Sequence, residues 1–399
     1  MFLGQAASLT GDRVVVVAIA LFVTQRTRSP TDLSLILAAQ SLPLIALLLF
    51  GGVWADRLPR NRIMVGTDLI RAALHATLAV LIFTAAVQIW HLVVIEALFG
   101  AAQAFFQPAY SGLVPQTVPE HEIQDARVLS EVIDDISFLV GPALATALVL
   151  GVGAGEAFAL DAATFLLSAW LLRSVSPRAR GEVEQGGTLA QELRAGFLEV
   201  RSRAWVWVTI VAFTVTVLCV YATWYALAPS IARDHYGGAG VFGVLESFGG
   251  LGAVLGAIVG FRWRPARPLR AGLLLVLAWP IQEGVFALHA PLALVVPLCF
   301  ATGFGFALLM IWWETALAQH IPPRALSRVS AWDWMGSLAL LPVGYAIAGP
   351  LASRFGASAV LGIGSAVGVV MLVLALLPRA TRALSSPVSQ PSSFRGRSV

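Results

Sequence analysis

The chain has 399 residues, 58% of them hydrophobic and only 12% charged, with a mean hydropathy of +0.81 and a net charge of +4. Soluble domains carry about 25% charged residues, so this composition excludes a wholly water-facing fold. All 26 basic residues are arginine and all but Arg13 and Arg71 fall between apolar runs, which reads as the coding bias of a GC-rich genome and not as a nucleic-acid surface.

The apolar runs are long enough to cross a bilayer. A spanning helix needs roughly 20 residues and a barrel strand about 10. In hydrocarbon only these two forms satisfy the backbone, and the run lengths select helices. Twelve are predicted, at 2–25, 33–55, 63–87, 90–112, 127–151, 156–174, 205–231, 239–261, 269–288, 291–317, 325–352 and 357–377. The first lacks a basic leader and is interrupted by Asp12-Arg13, so it does not read as a cleavable signal. Met1 already lies inside it, as it would if the start were placed late. Cys219 and Cys299 fall within spans and read as small core residues.

The widest polar stretch, 175–204, contains Leu189, Leu193, Phe197 and Val200 at helical spacing, which predicts an amphipathic helix on the membrane surface. It divides the chain into a six-helix bundle at 1–174, a linker at 175–204, a second six-helix bundle at 205–378 and a tail at 379–399. From Ser385 the tail is Ser/Pro-rich and is expected to be disordered. With both termini cytoplasmic, inside loops and tail hold twenty arginines, and outside loops hold four: Arg26, Arg28, Arg233 and Arg354. That asymmetry predicts a multi-pass protein of a bacterial inner membrane with both ends inside.

The halves echo each other. Val118-Pro119 … Arg127-Val128 between spans four and five returns as Ile321-Pro322 … Arg328-Val329 between spans ten and eleven. Gly141-Pro142 in span five has a counterpart in Gly349-Pro350, and both mark bendable helices. The predicted fold class is therefore all-α membrane protein, about twelve transmembrane helices in two six-helix pseudo-repeats.

After span two runs Gly52-Val53-Trp54-Ala55-Asp56-Arg57-Leu58-Pro59-Arg60-Asn61-Arg62. This resembles the major facilitator signature G-x-L-A-D-R-x-G-R-K/R, matching at Gly52, Ala55, Asp56, Arg57 and Arg60. It departs at Trp54, at Asn61 and at Pro59, where the family has Gly. Proline fixes φ, so the turn must be built differently. Such a loop is expected to clamp one side of the membrane, Asp56 against a helix end and the arginines against neighbouring acids.

Further stretches narrow the resemblance: Gly4-Gln5 … Ser8 … Gly11-Asp12, Asp68-Leu69-Ile70-Arg71-Ala72, Gln107-Pro108-Ala109, Val114-Pro115, Gly141-Pro142-Ala143-Leu144, and Phe158 … Asp161-Ala162-Ala163-Thr164-Phe165. Together they look like the drug:proton antiporter subfamily that includes macrolide-efflux proteins and the enterobactin exporter. The resemblance implies the major facilitator fold, efflux driven by a proton gradient, and a leak-restricting helix at Gly141 and Pro142. Many drug antiporters carry an Arg four residues before the glycine of span four, and here that position is Glu96.

Charges inside spans are costly and mark function by default. The candidates are Asp12, Arg13, Asp68, Arg71, Glu96, Asp134, Asp135, Asp161, Glu246, Glu283, Glu314 and Asp333. Asp12 shares a helix face with Gln5 and Ser8 and reads as a proton or substrate residue, with Arg13 the nearest counter-ion. Asp68 and Arg71 are spaced to pair, and His75 continues their face. Asp134 and Asp135 point about 100° apart, so at most one faces a cavity, and the other has Arg71 as a possible partner. Asp161 is expected near a wet helix end. Glu314 beside Trp312-Trp313, and Asp333 between Trp332 and Trp334, suit a lipophilic cation. Glu314 is the favoured second-half residue.

The expected activity is secondary active export of a small amphipathic solute by alternating access with proton antiport, by a monomer in the lipid bilayer. The alternative is an importer or facilitator on the same fold. A membrane enzyme fits less well, because the sequence has no nucleotide loop, nucleophile motif or metal-spaced cluster, and a silent sensor or scaffold would show no flux in proteoliposomes. Neither a cofactor nor a metal is expected.

Overall fold

The structure, a computed structural model, describes residues 1–175, 189–260 and 262–384. The side chains of Asp56, Arg127, Asp135, Leu189 and Leu193 lie outside the description, as does the tail from Ser385. The chain is helical throughout the described residues, and twelve helices are long and apolar enough to cross a membrane. The first six spans are α1 (Phe2–Thr27), α2 (Pro30–Arg57), α3 (Arg60–Phe83), α4 (Ile89–Thr117), α5 (Ile123–Gly151) and α6 (Ala154–Arg173). A surface helix, α7 (Leu189–Ser202), follows.

Span seven consists of α8 (Ala204–Thr216), a π-helical turn at Val217–Tyr221, and α9 (Ala222–His235). Span eight is α10 (Gly240–Gly260), and span nine is α11 (Pro268–Val276) continued by α12 (Ala278–Ala287). Span ten is α13 (Leu292–His320). Span eleven joins α14 (Pro323–Leu338) to α15 (Leu341–Phe355), span twelve is α16 (Ala357–Leu376), and a short α17 (Arg379–Arg382) ends the described chain.

Two boundaries differ from the sequence expectation for local reasons. Span three stops at Phe83 because Ala85 takes a positive φ in the turn that follows. The interruption in span eleven falls at Ala339-Leu340, ahead of Pro342, and α15 carries on through Gly349-Pro350. Helix α5 likewise runs unbroken through Gly141-Pro142.

The repeat is visible in packing. Spans two and four touch where a Cβ on Gly100 would sit 1.9 Å from the Gln40 carbonyl oxygen. Spans eight and ten touch the same way, a Cβ on Gly303 falling 1.9 Å from the Gly249 carbonyl. Small residues at such crossings let backbones approach closely, which drives helix association in lipid.

Both described ends of the chain lie on one face, the terminal face, and the odd-numbered spans run from it to the distal face. In the distal half the two bundles share one apolar core. Leu21 and Val23 of α1, Leu33 and Ile36 of α2, and Val149 of α5 pack in it with Leu227 and Ile231 of α9, Phe242 of α10 and Ala348 of α15. Toward the terminal face each bundle has its own core. One contains Ala55, Met64, Phe106 and Leu113, the other Trp205, Leu273, Leu309 and Trp313. Helix pairs that join the bundles are α2 with α15, α5 with α10, and α9 with α1 and α2. Polar bonds add to the distal seam. Arg233 donates to the Thr24 carbonyl at 2.8 Å, and the Thr31 and Ser353 hydroxyls lie 2.9 Å apart.

Candidate functional site

Helix α3 presents Asp68, Arg71 and His75 on one face, and all three are almost fully buried inside the first bundle. Arg71 donates to Asp68 at 2.5 Å and reaches Asp12 of α1 at 3.5 Å. Its guanidinium lies 4.2 Å from both the Phe106 and the Phe165 rings, an arrangement that favours a desolvated cation. One turn on, His75 bridges two acids. Its Nδ1 bonds Asp161 of α6, and its Nε2 lies 3.5 Å from Glu96 of α4. The imidazole stacks on Phe99 at 4.4 Å.

The result is an aromatic-walled file: Asp68, Arg71, Asp12, Asp161, His75, Glu96. Gly11 permits it, because a Cβ there would lie 2.1 Å from Asp161 Oδ1. Four carboxyl groups face one guanidinium and one imidazole, so the file has places for protons beyond the charges its cations neutralise. Asp12 is its opening: its side chain is 17% exposed, whereas Asp68, Glu96 and Asp161 are at 0%. Asp12 Oδ1 and both Glu96 oxygens lack a hydrogen-bond partner.

Several expectations are re-drawn. Arg13 pairs with Asp134 of α5 at 3.0 Å, leaving Asp12 to Arg71. Asp134 therefore takes Arg13, not Arg71. Asp161 does not sit at a wet end; it is fully buried on His75. Gly141, expected at a kink, is where α1 crosses α5, a Cβ there falling 2.3 Å from Arg13 Cβ.

Across the gap from Arg13, the second bundle offers Tyr221 and Tyr225, both within its electrostatic range. Their rings lie 4.7 Å apart. Tyr225 donates to Glu246 Oε2 at 2.5 Å and Trp224 to Oε1 at 2.7 Å, so both carboxylate oxygens of Glu246 are capped. Arg13 and Asp134 of the first bundle and Tyr221, Tyr225 and Glu246 of the second thus form a polar, aromatic cluster where the bundles meet. Neither tyrosine stood out in the sequence, although their i, i+4 spacing in an apolar span was a readable stripe.

Glu314 and Asp333 lie elsewhere, toward the terminal face. Glu314 is exposed on α13. Asp333 is half-buried and accepts from Trp313 Nε1 at 2.7 Å. Trp332 packs on Phe197 of α7, and Trp334 is exposed.

In the signature loop, Leu58 and Pro59 take extended conformations, so the turn needs no positive φ. Arg60 donates to the Gly112 carbonyl at 2.8 Å and the Ala55 carbonyl at 3.2 Å, and Asn61 to the Val175 carbonyl at 3.1 Å. These bonds tie spans two and three to spans four and six. Arg57 is exposed, and a Cβ on Gly52 would meet open space.

A family model described as transmembrane secretion effector matches residues 1–279. Macrolide efflux protein A of Streptococcus pyogenes is 27% identical over 240 residues, covering 59% of this chain and 58% of that protein. The chain thus spans under two thirds of that curated relative. Multidrug efflux pump Tap of Mycolicibacterium fortuitum is 27% identical over 386 residues, 92% of each chain. Among solved structures, a variant of the nucleoside transporter NupG superposes with a TM-score of 0.72 at 12% identity, over 94% of this chain and 97% of that one. A bacterial homologue of the lysosomal transporter Spinster, inward-facing and occupied, gives 0.66 at 13% identity, over 96% and 94%. With the family model covering more than half of it, this chain belongs to the transmembrane secretion effector family of major facilitator transporters.

Proposed function

We propose that this protein is a monomeric secondary transporter that exports small amphipathic solutes, by proton antiport, from the cytoplasm of a bacterial cell. The observation that carries the reading is the pairing of two features. Among the described residues the apolar core shared by the bundles lies in their distal halves, and an acid-rich file in the first bundle has its one partly exposed carboxylate at Asp12. The twenty-to-four arginine asymmetry supports a cytoplasmic terminal face. The state described is then open inward, with the cluster of Arg13, Tyr221, Tyr225 and Glu246 at the end of the passage. The relatives named for macrolide and multidrug efflux support export and an amphipathic cargo.

In this mechanism solute enters from the terminal side, the distal seam parts, and the terminal halves close. A proton taken up at Asp12 weakens its attraction to Arg71, and Arg71 turns more fully to Asp68. The change in charge is passed along α3 to the His75 pair. The loop at Gly52, Asp56, Arg57 and Arg60 braces the first bundle at the face that must close.

The test is efflux of erythromycin from a pump-deficient host expressing the chain. Export should stop when the proton gradient is discharged, and Asp12→Asn should abolish gradient-driven export with expression intact. Export unaffected by either change refutes the coupling. Accumulation of the compound in place of its loss refutes the direction and favours a facilitator or importer.

A further inference from the structure

Glu283 is a buried acid for which the mechanism above has no task. It sits on α12 inside the second bundle and is 0% exposed. Among the described residues no salt bridge reaches it. Thr223 faces it from α9 and Cys219 from the π-helical turn, while Ser365 of α16 lies against the neighbouring Gly284. Helix α13 also packs on α12, but its titratable Cys299 faces Glu246.

The hydrogen bonding around Thr223 is over-subscribed. Its hydroxyl oxygen lies 2.6 Å from the Cys219 carbonyl, 3.1 Å from the Val220 carbonyl and 2.7 Å from Glu283 Oε1. A threonine hydroxyl has one hydrogen to give, and an ionised carboxylate can only accept. With Glu283 charged, Thr223 serves either the carboxylate or the carbonyl. With a proton on Glu283, its O–H donates to Thr223 Oγ1, Thr223 donates to the Cys219 carbonyl, and both short contacts are bonds. The other carboxyl oxygen, Oε2, has no partner, an arrangement far costlier for a charge than for a neutral acid.

The carbonyl at stake belongs to the Val217–Tyr221 π-helical turn. Such turns are rare and frequent at functional sites. Helix α16 backs the same carbonyl, a Cβ on Gly364 falling 2.0 Å from it. The turn ends in Tyr221, which reaches the cluster near Arg13.

We propose that Glu283 is a second proton-binding site, whose loading reverses the Glu283–Thr223 hydrogen bond and so determines whether the π-helical turn beneath Tyr221 is held. This rests on the proton-coupled reading above and adds to the file in the first bundle. Loading the proton lets Thr223 pin the Cys219 carbonyl. Releasing it draws the Thr223 hydrogen to the carboxylate and frees the turn that carries Tyr221. The second bundle then contributes a proton site of its own, connected to the cluster by a single hydroxyl.

Infrared difference spectroscopy of the full chain in lipid, titrated with pH, reads this directly, because a protonated carboxyl has a carbonyl stretch distinct from carboxylate bands. The expected result is a carbonyl band that disappears as pH rises, is absent in Glu283→Gln, shifts its midpoint in Thr223→Val and survives in Asp12→Asn. A spectrum unchanged by Glu283→Gln overturns the proposal, and so does a Glu283 band that persists at every pH. Should Glu283→Gln not fold, the Thr223→Val midpoint decides, and an unmoved midpoint counts against the site. Erythromycin export under a discharged gradient is read separately. Gradient-independent export with a titrating Glu283 band sinks the antiport reading and leaves the proton site.

Discussion

In the first bundle the buried acids are set against cations, and in the second against neutral donors. Asp12 and Asp68 share Arg71, and Asp161 and Glu96 share His75. Glu246 is instead capped by Trp224 and Tyr225, and Glu283 by Thr223. A cation-paired acid loses an attraction when it is protonated, and the change can move a neighbouring charge. An acid held by a hydroxyl or phenol can answer protonation by reversing a hydrogen bond, while an indole N–H only donates. The first bundle is built for a large electrostatic response and the second for a local one. The junction between them touches both kinds, through Arg13 and Asp134 on one side and Tyr221 and Glu246 on the other.

The comparison is broken most severely at Arg71. Arg71→Ala leaves Asp12 and Asp68 without their shared cation, and removing one partner of a buried pair costs about 3–5 kcal/mol. Melting in detergent should show that loss together with complete loss of gradient-driven export. The double variant Asp68→Leu with Arg71→Met replaces the pair by apolar volume. It should regain stability relative to Arg71→Ala while export stays absent. Recovery of export in the double variant would make the file a structural device.

A middle-sized effect is expected in the second bundle. Tyr225→Phe removes one of the two donors to Glu246 and should cost about 1–3 kcal/mol by the desolvation of an unsatisfied acceptor. It should also weaken solute binding at the cluster while leaving the response to pH close to wild type. A change in pH response as large as that of Asp12→Asn would erase the distinction between the bundles.

The smallest effect is expected at the seam. Thr31→Val removes one cross-bundle hydrogen bond, worth about 0.5–1.5 kcal/mol. It should favour distal opening by a few-fold, read as faster reaction of a cysteine-directed probe at Thr24→Cys. An unchanged rate would mean that the apolar core and the Arg233–Thr24 bond hold the seam without the Thr31–Ser353 contact.

Much of the fold was legible because a bilayer leaves few alternatives. Run length fixed the helix count, whereas the repeated crossings at Gly100 and Gly303 emerged only from the packing. Asp68 with Arg71 was readable from i, i+3 spacing, and His75 could be placed on the same face. What spacing could not supply was the neighbour across the gap. Arg13 adjoins Asp12 in sequence yet turns to Asp134, since successive helical residues point about 100° apart and the partner depends on which helix packs there. Asp161 looked peripheral by its place along α6, but His75 draws it inside. Glu314 follows two tryptophans that are buried, yet is itself exposed, for the same rotational reason. Tyr221 and Tyr225 gained meaning only once span seven was placed beside Arg13, and Glu283, already a candidate, once Thr223 was found against it.

The central claim is that the two bundles rock about their junction, closing one face as they open the other. Spin labels on Thr31 and Ser353 report the distal seam, and labels on Thr117 and His320, at the ends of α4 and α13, report the terminal face. Pulsed dipolar distances measured for both pairs across a pH titration in lipid should move in opposite senses, one lengthening as the other shortens, with Asp12→Asn suppressing both changes. Distances that stay fixed, or that lengthen together, would contradict the account.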